Sequence, residues 1–350
     1  MRHRNELSRR RFLVGAAGLV AAGQVAAPSV LRAQSREIVV GGPGGMATVM
    51  RDEVIPPFEK KYSCKVLYEG SRSLINLQKL QTNRDAPKVS VVMMDEDIML
   101  RAAEEGLITQ ITPSDVPMLS KIVPQSVRPG GLWVNYKTPR AAIAYNAKAL
   151  PGGVPTWAEL WEGKYRKKIL LPHMSLTSAV CVLTIAAHLE SGKPLAQAQY
   201  EVEAGFRHLA KLKPNLLNVY TNPTQAQNLL EQGEGWVIPG EITSYVLLRK
   251  SQGAPIDMAR PKEGSFAFPS GVAKVKNGPN PDLASAFINE MLDVRAQKLW
   301  AERFFDSPAN PETPVSPDIV SPAQMFTTDW DFVAKNRKVW IERWDREIVT

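Results

Sequence analysis

Hydroxyl side chains stand where two helices are predicted to begin. Ser71 and Ser73 precede a helix predicted over residues 74–82, and Ser175 and Thr177 open a later helix. Hydroxyl groups and free backbone N–H groups at a helix start together bind carboxylate or phosphonate groups. The same residue types cap helices without any ligand, so simple capping is the alternative interpretation.

Carboxylates follow two predicted strands. Asp95 and Asp97 come directly after a strand predicted at 89–94, and Glu241 follows one predicted at 235–239. Such carboxylates are suited to hold an ammonium group through charge-assisted hydrogen bonds. Asp95 and Asp97 also have the pattern of a solvated acidic cap on the following helix.

Glycines and polar residues complete the candidate ligand site. Gly44 and Gly45 end a glycine-rich segment after the first predicted strand, while Tyr220 and Asn222 lie near a later strand end. Because α/β proteins bind ligands at the carboxyl ends of their strands, a ligand loop is one interpretation of the glycines. A turn that needs positive φ is the other.

Enzymatic motifs are absent from the chain. It contains no HExxH, no GxSxG and no GxxxxGK[ST] pattern, so the usual zinc, nucleophile-elbow and phosphate-loop chemistries are not indicated. His173 lies close to Ser175, but a catalytic triad has to be assembled in space. We therefore predict no enzyme, no cofactor and no metal site. An exported hydrolase is a distant alternative, and ferric iron is a minor one because the eight tyrosines include no adjacent pair.

Short apolar runs alternate with helical segments, which is typical of α/β folds. Strands predicted at 37–40, 64–68 and 89–94 are each followed by a helix, and a second α/β unit follows an extended segment at 140–146. Another extended segment, at 256–275, leads back to the first unit. Two lobes joined by two crossings form a cleft with a hinge, which can close about a ligand.

The crossings set the predicted domains. One lobe comprises residues 34–141 and 266–350 and the other comprises residues 142–265, while the lobe joined by a helix at 329–347 is left open. Further helices are predicted at 155–161, capped by Thr156, and at 195–212, 224–231, 281–292 and 294–304.

Residues 1–33 have the pattern of an export signal. The segment Ser8-Arg9-Arg10-Arg11-Phe12-Leu13 precedes an Ala/Gly/Val stretch that is too short to span a membrane. The paired arginines match the twin-arginine consensus, which predicts export of the folded protein to the periplasm. An ordinary Sec signal or an uncleaved anchor is the alternative.

Charge and cysteine usage narrow the class further. The formal net charge is +8 over 350 residues, but residues 1–33 hold six arginines against Glu6 alone, and no long Lys/Arg run follows. This distribution argues against nucleic-acid binding. Cys64 and Cys181 lie far apart within apolar patterns, which predicts two separate buried thiols.

Several stretches of the mature chain are typical of one family. They are Tyr145-Asn146-Ala147-Lys148, Pro155-Thr156-Trp157-Ala158-Glu159-Leu160-Trp161, Tyr165-Arg166-Lys167-Lys168-Ile169 and Pro255-Ile256-Asp257 with Pro261-Lys262-Glu263-Gly264. In these stretches the chain resembles the periplasmic solute-binding proteins of ABC importers, specifically the spermidine/putrescine-binding group. The resemblance implies a two-lobe periplasmic binding protein fold of type II. It also implies a small-molecule ligand, an ABC permease in the inner membrane as partner, and a monomer that performs no chemistry on its ligand.

The ligand is where the chain departs from the polyamine receptors of that group, which hold ammonium groups with acidic residues and clasp methylenes with aromatic rings. An acidic pair of the second lobe is replaced by Met174 and Thr177, and a Trp-x-Asp pattern is replaced by Ala267 and Pro269.

With those carboxylates missing, the serine and threonine hydroxyls favour an anion-binding end, with Asp95, Asp97 or Glu241 opposite for an ammonium group. We therefore expect a periplasmic substrate-binding component of an ABC transporter that captures a small amine-containing solute. A zwitterion such as an amino acid or an aminophosphonate is favoured. A spermidine/putrescine receptor with rearranged acidic residues is the alternative.

Overall fold

The structure is a computed structural model that describes residues 36–317 and 319–349, so the export signal predicted over residues 1–33 lies outside the described residues. The strands are β1 Glu37–Pro43, β2 Lys65–Ser71, β3 Val91–Asp95, β4 Ile108–Thr109, β5 Val134–Thr138, β6 Arg140–Asn146, β7 Ile169–Pro172, β8 Leu216–Tyr220, β9 Val237–Ile242, β10 Ile256–Met258, β11 Phe266–Ala267, β12 Ser270–Val275, β13 Ser307–Pro308 and β14 Phe326–Thr327. The α-helices are α1 Ala47–Val49, α2 Ile55–Tyr62, α3 Ser73–Thr82, α4 Glu96–Glu104, α5 Ala179–Ser191, α6 Leu195–Ala198, α7 Val202–Ala210, α8 Pro223–Gln232, α9 Thr243–Ser251, α10 Pro281–Leu292, α11 Val294–Phe304 and α12 Trp330–Trp344.

The strands form two mixed sheets of seven strands each. The first sheet has the order β13-β5-β12-β3-β1-β2, with β4 paired to β12, and the second has the order β14-β11-β6-β9-β7-β8, with β10 paired to β6. In the first sheet β1 is parallel to β2 and β3, and in the second β7 is parallel to β8 and β9. Parallel neighbours end at the same edge of a sheet, so each sheet gathers the residues that follow three of its strands. The α/β fold expected from the sequence is confirmed.

The chain passes between the two sheets three times. Pro139 alone separates β5 from β6, and Phe268 and Pro269 separate β11 from β12. The Phe268 N–H donates to the Pro139 carbonyl at 2.9 Å, which ties these two connections together. Phe268 and Pro269 fall within the crossing expected at 256–275, and Pro139 directly precedes the one expected at 140–146. A third connection, from β13 to β14 across residues 309–325, was not predicted, and the lobe boundaries given above stay a prediction.

Most predicted helices are present, with local differences. Helices α10 and α11 match the predicted bounds because Asp293 ends one and caps the other, its side chain accepting the Arg295 N–H at 2.9 Å. Thr156 caps its turn as expected, but Trp157–Trp161 is a 3-10 helix. The single helix predicted at 195–212 is wrong, because α6 and α7 form two shorter helices there.

Helix α9 was not predicted. Its apolar run Val246-Leu247-Leu248 is short, and a run of that length does not distinguish a buried strand from a helix by periodicity. This omission matters because α9 directly follows β9 and contributes side chains to the candidate site.

The C-terminal helix α12 packs on the core of the second sheet. Its tryptophans Trp330, Trp340 and Trp344 are buried in the same cluster as Trp157 and Ile169. Their burial shows that these tryptophans serve packing. The lobe of this helix was left open by the sequence because its apolar residues do not identify the surface that covers them.

The two cysteines have the environment that the sequence predicted for them. Cys64 and Cys181 are both free and buried, which confirms two separate thiols. Within the described ranges, every helix is too short or too polar to cross a membrane.

Candidate functional site

A cavity of about 660 Å³ lies between the carboxyl ends of the two sheets. Its first wall is built on the ends of β1, β2 and β3, and its second wall on the ends of β7, β8 and β9, together with α9. The lining residues are Pro43, Gly44, Gly45, Ser71, Arg72, Ser73, Leu74, Asp95, Ser175, Leu176, Thr177, Ser178, Tyr220, Thr221, Asn222, Pro223, Thr224, Gln227, Glu241, Ile242, Tyr245, Leu248, Arg249 and Phe268.

Ten of the eleven candidate residues line this cavity. They are Gly44, Gly45, Ser71, Ser73, Asp95, Ser175, Thr177, Tyr220, Asn222 and Glu241. Asp97 does not line it and lies behind Asp95, fully buried. The parallel strands of each sheet therefore bring together residues that are up to about two hundred positions apart. Their contact with a ligand stays a prediction.

The glycine-rich segment is explained by close approach. Neither Gly44 nor Gly45 has a positive φ, so the turn interpretation is wrong for both. A Cβ atom on Gly45 would lie 2.6 Å from a ring carbon of Tyr245 on the opposite wall. A Cβ atom on Gly44 would meet only backbone atoms at 3.8 Å. Gly45 thus allows the two walls to touch beside the cavity.

The hydroxyl groups do not cap their helices as the alternative interpretation supposed. Arg72 and Ser178 occupy the cap positions of α3 and α5, and neither makes a side-chain capping hydrogen bond. Ser73 Oγ instead accepts the backbone N–H of Asp95 at 3.1 Å. Asn222 does act as a cap, since its side chain accepts the Gln225 N–H of α8 at 3.3 Å.

Thr177 belongs to a buried polar cluster, which we call the Arg337 cluster and which consists of Asp95, Asp97, Thr177 and Arg337. Arg337 of α12 pairs with Asp97 and donates to Thr177 Oγ1 at 2.8 Å. Thr177 Oγ1 lies 3.0 Å from Asp95 Oδ2 and 3.3 Å from Asp97 Oδ1. Because its one hydrogen points to a carboxylate, the Thr177 hydroxyl has none left to donate to an anion.

The acidic segment after β3 is buried. Asp97 is fully covered, and Glu96 is 2% exposed with its carboxylate 2.5 Å from Arg128. The solvated-cap interpretation is therefore wrong. Burial raises the pKa of Asp95, and the neighbouring Asp97 charge raises it further, while the Thr177 hydroxyl opposes both effects.

Ser175 is held by His173. Ser175 Oγ and His173 Nδ1 are 2.8 Å apart, the Ser175 N–H donates to the same nitrogen at 3.1 Å, and His173 Nε2 lies 2.8 Å from Asp345 Oδ1. The carboxylate accepts the Nε2–H, so Nδ1 is the acceptor and the Ser175 hydroxyl donates to it. Like Thr177, Ser175 therefore presents lone pairs to the cavity, not a hydrogen.

Glu241 differs from the other buried carboxylates of the site. Its Oε1 accepts the Ile242 N–H at 2.9 Å, whereas Oε2 is buried and has no hydrogen-bond partner among the described residues. Burial raises the pKa of Glu241 to about 7, and the Ile242 N–H, the Gln227 side chain, the charge of Arg249 and the Tyr220 hydroxyl lower it only in part. A buried carboxylate oxygen without a donor is costly, and an ammonium group would supply one.

Two cations line the cavity, and the sequence analysis missed both. Arg72 is exposed and donates to the Thr221 carbonyl on the opposite wall at 3.1 Å. Arg249 of α9 lies 2.5 Å from Glu231 and 2.9 Å from Asn228. Arg72 stands between Ser71 and Ser73 and could have been found from that position. Nothing in the sequence identified Arg249 as a site residue, because helix α9 was not predicted.

Metal chemistry has no support in the part of the chain that the structure describes. Residues 36–317 and 319–349 contain no group of three or more His, Cys, Asp or Glu side chains placed to hold an ion.

The family follows from comparison with known proteins. Residues 86–336 match the model of the bacterial extracellular solute-binding protein family, and the chain belongs to that family. Its fold is that of the two-lobe periplasmic solute-binding proteins of ABC transporters, and such proteins bind and deliver solutes and are not enzymes as a class.

The particular relatives differ in their named ligands. Spermidine/putrescine-binding periplasmic protein 1 of Haemophilus influenzae is 26% identical over 71% of this chain and 69% of its own length. Iron uptake protein A2 of Synechocystis is 26% identical over 91% of both chains. The structure of the periplasmic binding protein AfuA of Actinobacillus pleuropneumoniae, with bound fructose-6-phosphate, covers 89% of this chain and 98% of its own at 21% identity and a TM-score of 0.75. Family membership therefore leaves the ligand to be argued from the cavity.

Proposed function

We propose that this protein captures a small zwitterion, with an ammonium group at one end and a carboxylate or phosphonate at the other, for an ABC importer. Export through a twin-arginine signal, action as a monomer in the periplasm and delivery to an inner-membrane permease belong to the same proposal. The family and the fold support the receptor role, and the cavity supports the choice of ligand.

The observation that carries the proposal is the unpartnered oxygen of Glu241. This side chain lines the cavity, is 3% exposed and has Oε2 without a donor. An ammonium group that reaches it forms a charge-assisted hydrogen bond in a site of low dielectric constant, where such bonds are strong. Asp95 also lines the cavity, but at the end of β3 on the first wall, where its N–H donates to Ser73 Oγ.

The anionic end is assigned to the first wall. Ser175 and Thr177 have no hydrogen left to donate, so the anion site expected from the sequence is confined to Ser71, Ser73 and the start of α3. Arg72 lies at this position and contributes the positive charge. The cavity lining thus presents a cation, Arg72, as well as the carboxylates of Asp95 and Glu241, which suits a ligand with both signs.

Four compounds of similar length test this proposal by calorimetric titration of the mature protein, refolded to remove carried-over ligand. They are γ-aminobutyrate, 2-aminoethylphosphonate, butyrate (which lacks the ammonium group) and putrescine (which lacks the anion). We expect the two zwitterions to bind, and Arg72→Gln to weaken them at least tenfold. Binding of butyrate without its amine would contradict the role of Glu241. Binding of putrescine alone would support the polyamine receptor, whose two ammonium groups would use Asp95 and Glu241.

The hydrolase alternative has one observation in its favour, the hydrogen-bonded series Ser175–His173–Asp345. However, the carboxylate of this series, Asp345, is 59% exposed, whereas the aspartate of a catalytic triad is buried where it orients its histidine. We expect no release of p-nitrophenol from p-nitrophenyl acetate or butyrate above the buffer rate. Turnover that Ser175→Ala abolishes would contradict a receptor without catalysis.

A further inference from the structure

A second cavity, of about 690 Å³, lies on the other side of helix α9. Thr243, Leu247, Lys250 and Ser251 line it, and this spacing of three or four residues is one face of the helix. Tyr245, Leu248 and Arg249 on the other face line the first cavity. One helix therefore separates two cavities of similar volume.

The lining of the second cavity is rich in cations. Among the described residues it contains Arg140, Lys250 and Arg260 together with the carboxylate of Asp257, which pairs with Lys250 at 2.6 Å. The cations come from separate parts of the chain, namely the start of β6, the end of α9 and the segment after β10. Their convergence is produced by the tertiary fold.

Arg140 is the buried charge of this cavity. It is 8% exposed, and the structure assigns its guanidinium one hydrogen bond, from Nη1 to the Ala259 carbonyl at 3.2 Å. No carboxylate among the described residues lies within 4 Å of it. Burial, with the charge of Arg260 nearby, lowers the pKa of Arg140 to about 10, and the charge of Asp257 opposes this only in part. A buried guanidinium has five N–H donors, and one without a carboxylate in contact among the described residues is stabilised by a bound anion, which it can contact with two donors at once.

The remaining lining suits a small polar molecule. Thr243 and Tyr145 contribute hydroxyl groups, and Gly152 and Gly153 leave the backbone uncovered. The Thr243 hydroxyl donates to the Arg140 carbonyl at 2.7 Å, which fixes α9 against the strand that carries the guanidinium.

We propose that this second cavity binds a small oxyanion, a carboxylate or a phosphate, on the guanidinium of Arg140. The site lies where β6 leaves the first crossing, and α9 is shared with the solute cavity. It is separate from the solute site and does not depend on which solute that site takes.

Calorimetric titration of the mature protein with inorganic phosphate and, separately, with succinate tests this site at low ionic strength. The two anions distinguish phosphate from carboxylate ligands. Arg140→Gln should weaken the anion that binds at least tenfold, while Arg72→Gln, which removes the exposed cation of the solute cavity, should leave its Kd within a factor of two. Loss of binding in Arg72→Gln, or unchanged binding in Arg140→Gln, would overturn the proposal, and so would the absence of heat with both anions.

Lys250→Glu covers the case in which Arg140→Gln does not fold, as judged by circular dichroism. Lys250 is 49% exposed, so this variant should fold, and its negative charge at the cavity should weaken anion binding severalfold. Affinity equal to that of the wild type would contradict the site. Binding of γ-aminobutyrate by the same samples reports on the solute cavity, so failure of one site is distinguishable from failure of the other.

Discussion

Asp97 and Glu241 are both buried carboxylates near the solute cavity, but they differ in their hydrogen-bond and charge partners. Asp97, at the start of α4, contacts Arg337 and Thr177 and does not reach the cavity. Glu241, at the end of β9, lines the cavity with one oxygen unpartnered. The protein neutralises the charge of Asp97 itself, whereas one oxygen of Glu241 has no hydrogen-bond partner among the described residues. Burial of an acid therefore does not identify a binding residue until its partners are known.

The largest effect is expected when the partner of Asp97 is removed. Arg337→Met leaves Asp97 buried without its cation beside Asp95, and breaking a buried pair in this way costs about 3–5 kcal/mol of unfolding free energy. Urea denaturation monitored by circular dichroism measures it. The double variant Arg337→Met/Asp97→Asn, which has no unpaired charge, should recover most of the loss.

An exposed ion pair provides the matched control for Arg337→Met. Arg303 lies 3.3 Å from Glu53, with side chains 56% and 35% exposed, and Arg303→Met should cost less than about 1 kcal/mol. Equal losses in Arg303→Met and Arg337→Met would show that the Arg337 cluster has no special energetic role, and the contrast with Glu241 would fail.

The next effect concerns the ligand. Glu241→Gln keeps an oxygen for the Ile242 N–H but removes the charge that would face an ammonium group. We expect about a hundredfold weaker binding of γ-aminobutyrate, which corresponds to about 2.7 kcal/mol. Asp97→Asn in the Arg337→Met background should change the affinity far less, because Asp97 does not line the cavity. A Glu241→Gln variant with unchanged affinity would remove Glu241 from the site.

The same substitution should stabilise the protein in the absence of ligand at alkaline pH. The pKa of Glu241 is raised from 4.5 to about 7, so the folded state binds the extra proton and wild-type stability falls as the pH rises from 4.5 through 7. Gln cannot ionise and escapes this loss. At pH 8 the variant should exceed the wild type by about 3 kcal/mol in urea unfolding, with no difference at pH 4. A difference that is independent of pH would contradict this explanation.

The smallest effect is the pH dependence of binding itself. Glu241 ionises with a pKa of about 7 in the free protein, so affinity for an ammonium ligand should rise by up to about tenfold between pH 6 and pH 8. Calorimetry in buffers of different ionisation enthalpy would also detect the proton that is released. A flat profile in the wild type, or the same slope in Glu241→Gln, would assign the ammonium contact to another group.

The α/β fold and the positions of most site residues could be predicted from the residue pattern alone. Apolar runs followed by polar or glycine residues predicted strand ends such as Ser71 and Asp95. Parallel pairing made those ends neighbours, because consecutive β-α units return each strand in the same direction. Ten of the eleven candidate residues therefore line one cavity.

The contacts that those side chains make could not be predicted in the same way. The hydrogens of Thr177 and Ser175 are committed to Asp95 or Asp97 and to His173, and the partner of Asp97 is Arg337, 240 positions further along the chain. Helix α9 was not predicted because its apolar run is short, so Tyr245 and Arg249 were not identified as site residues. Residue type and spacing predict where a polar group lies along an element, but whether its charge or hydrogen is satisfied depends on groups that packing brings from distant segments.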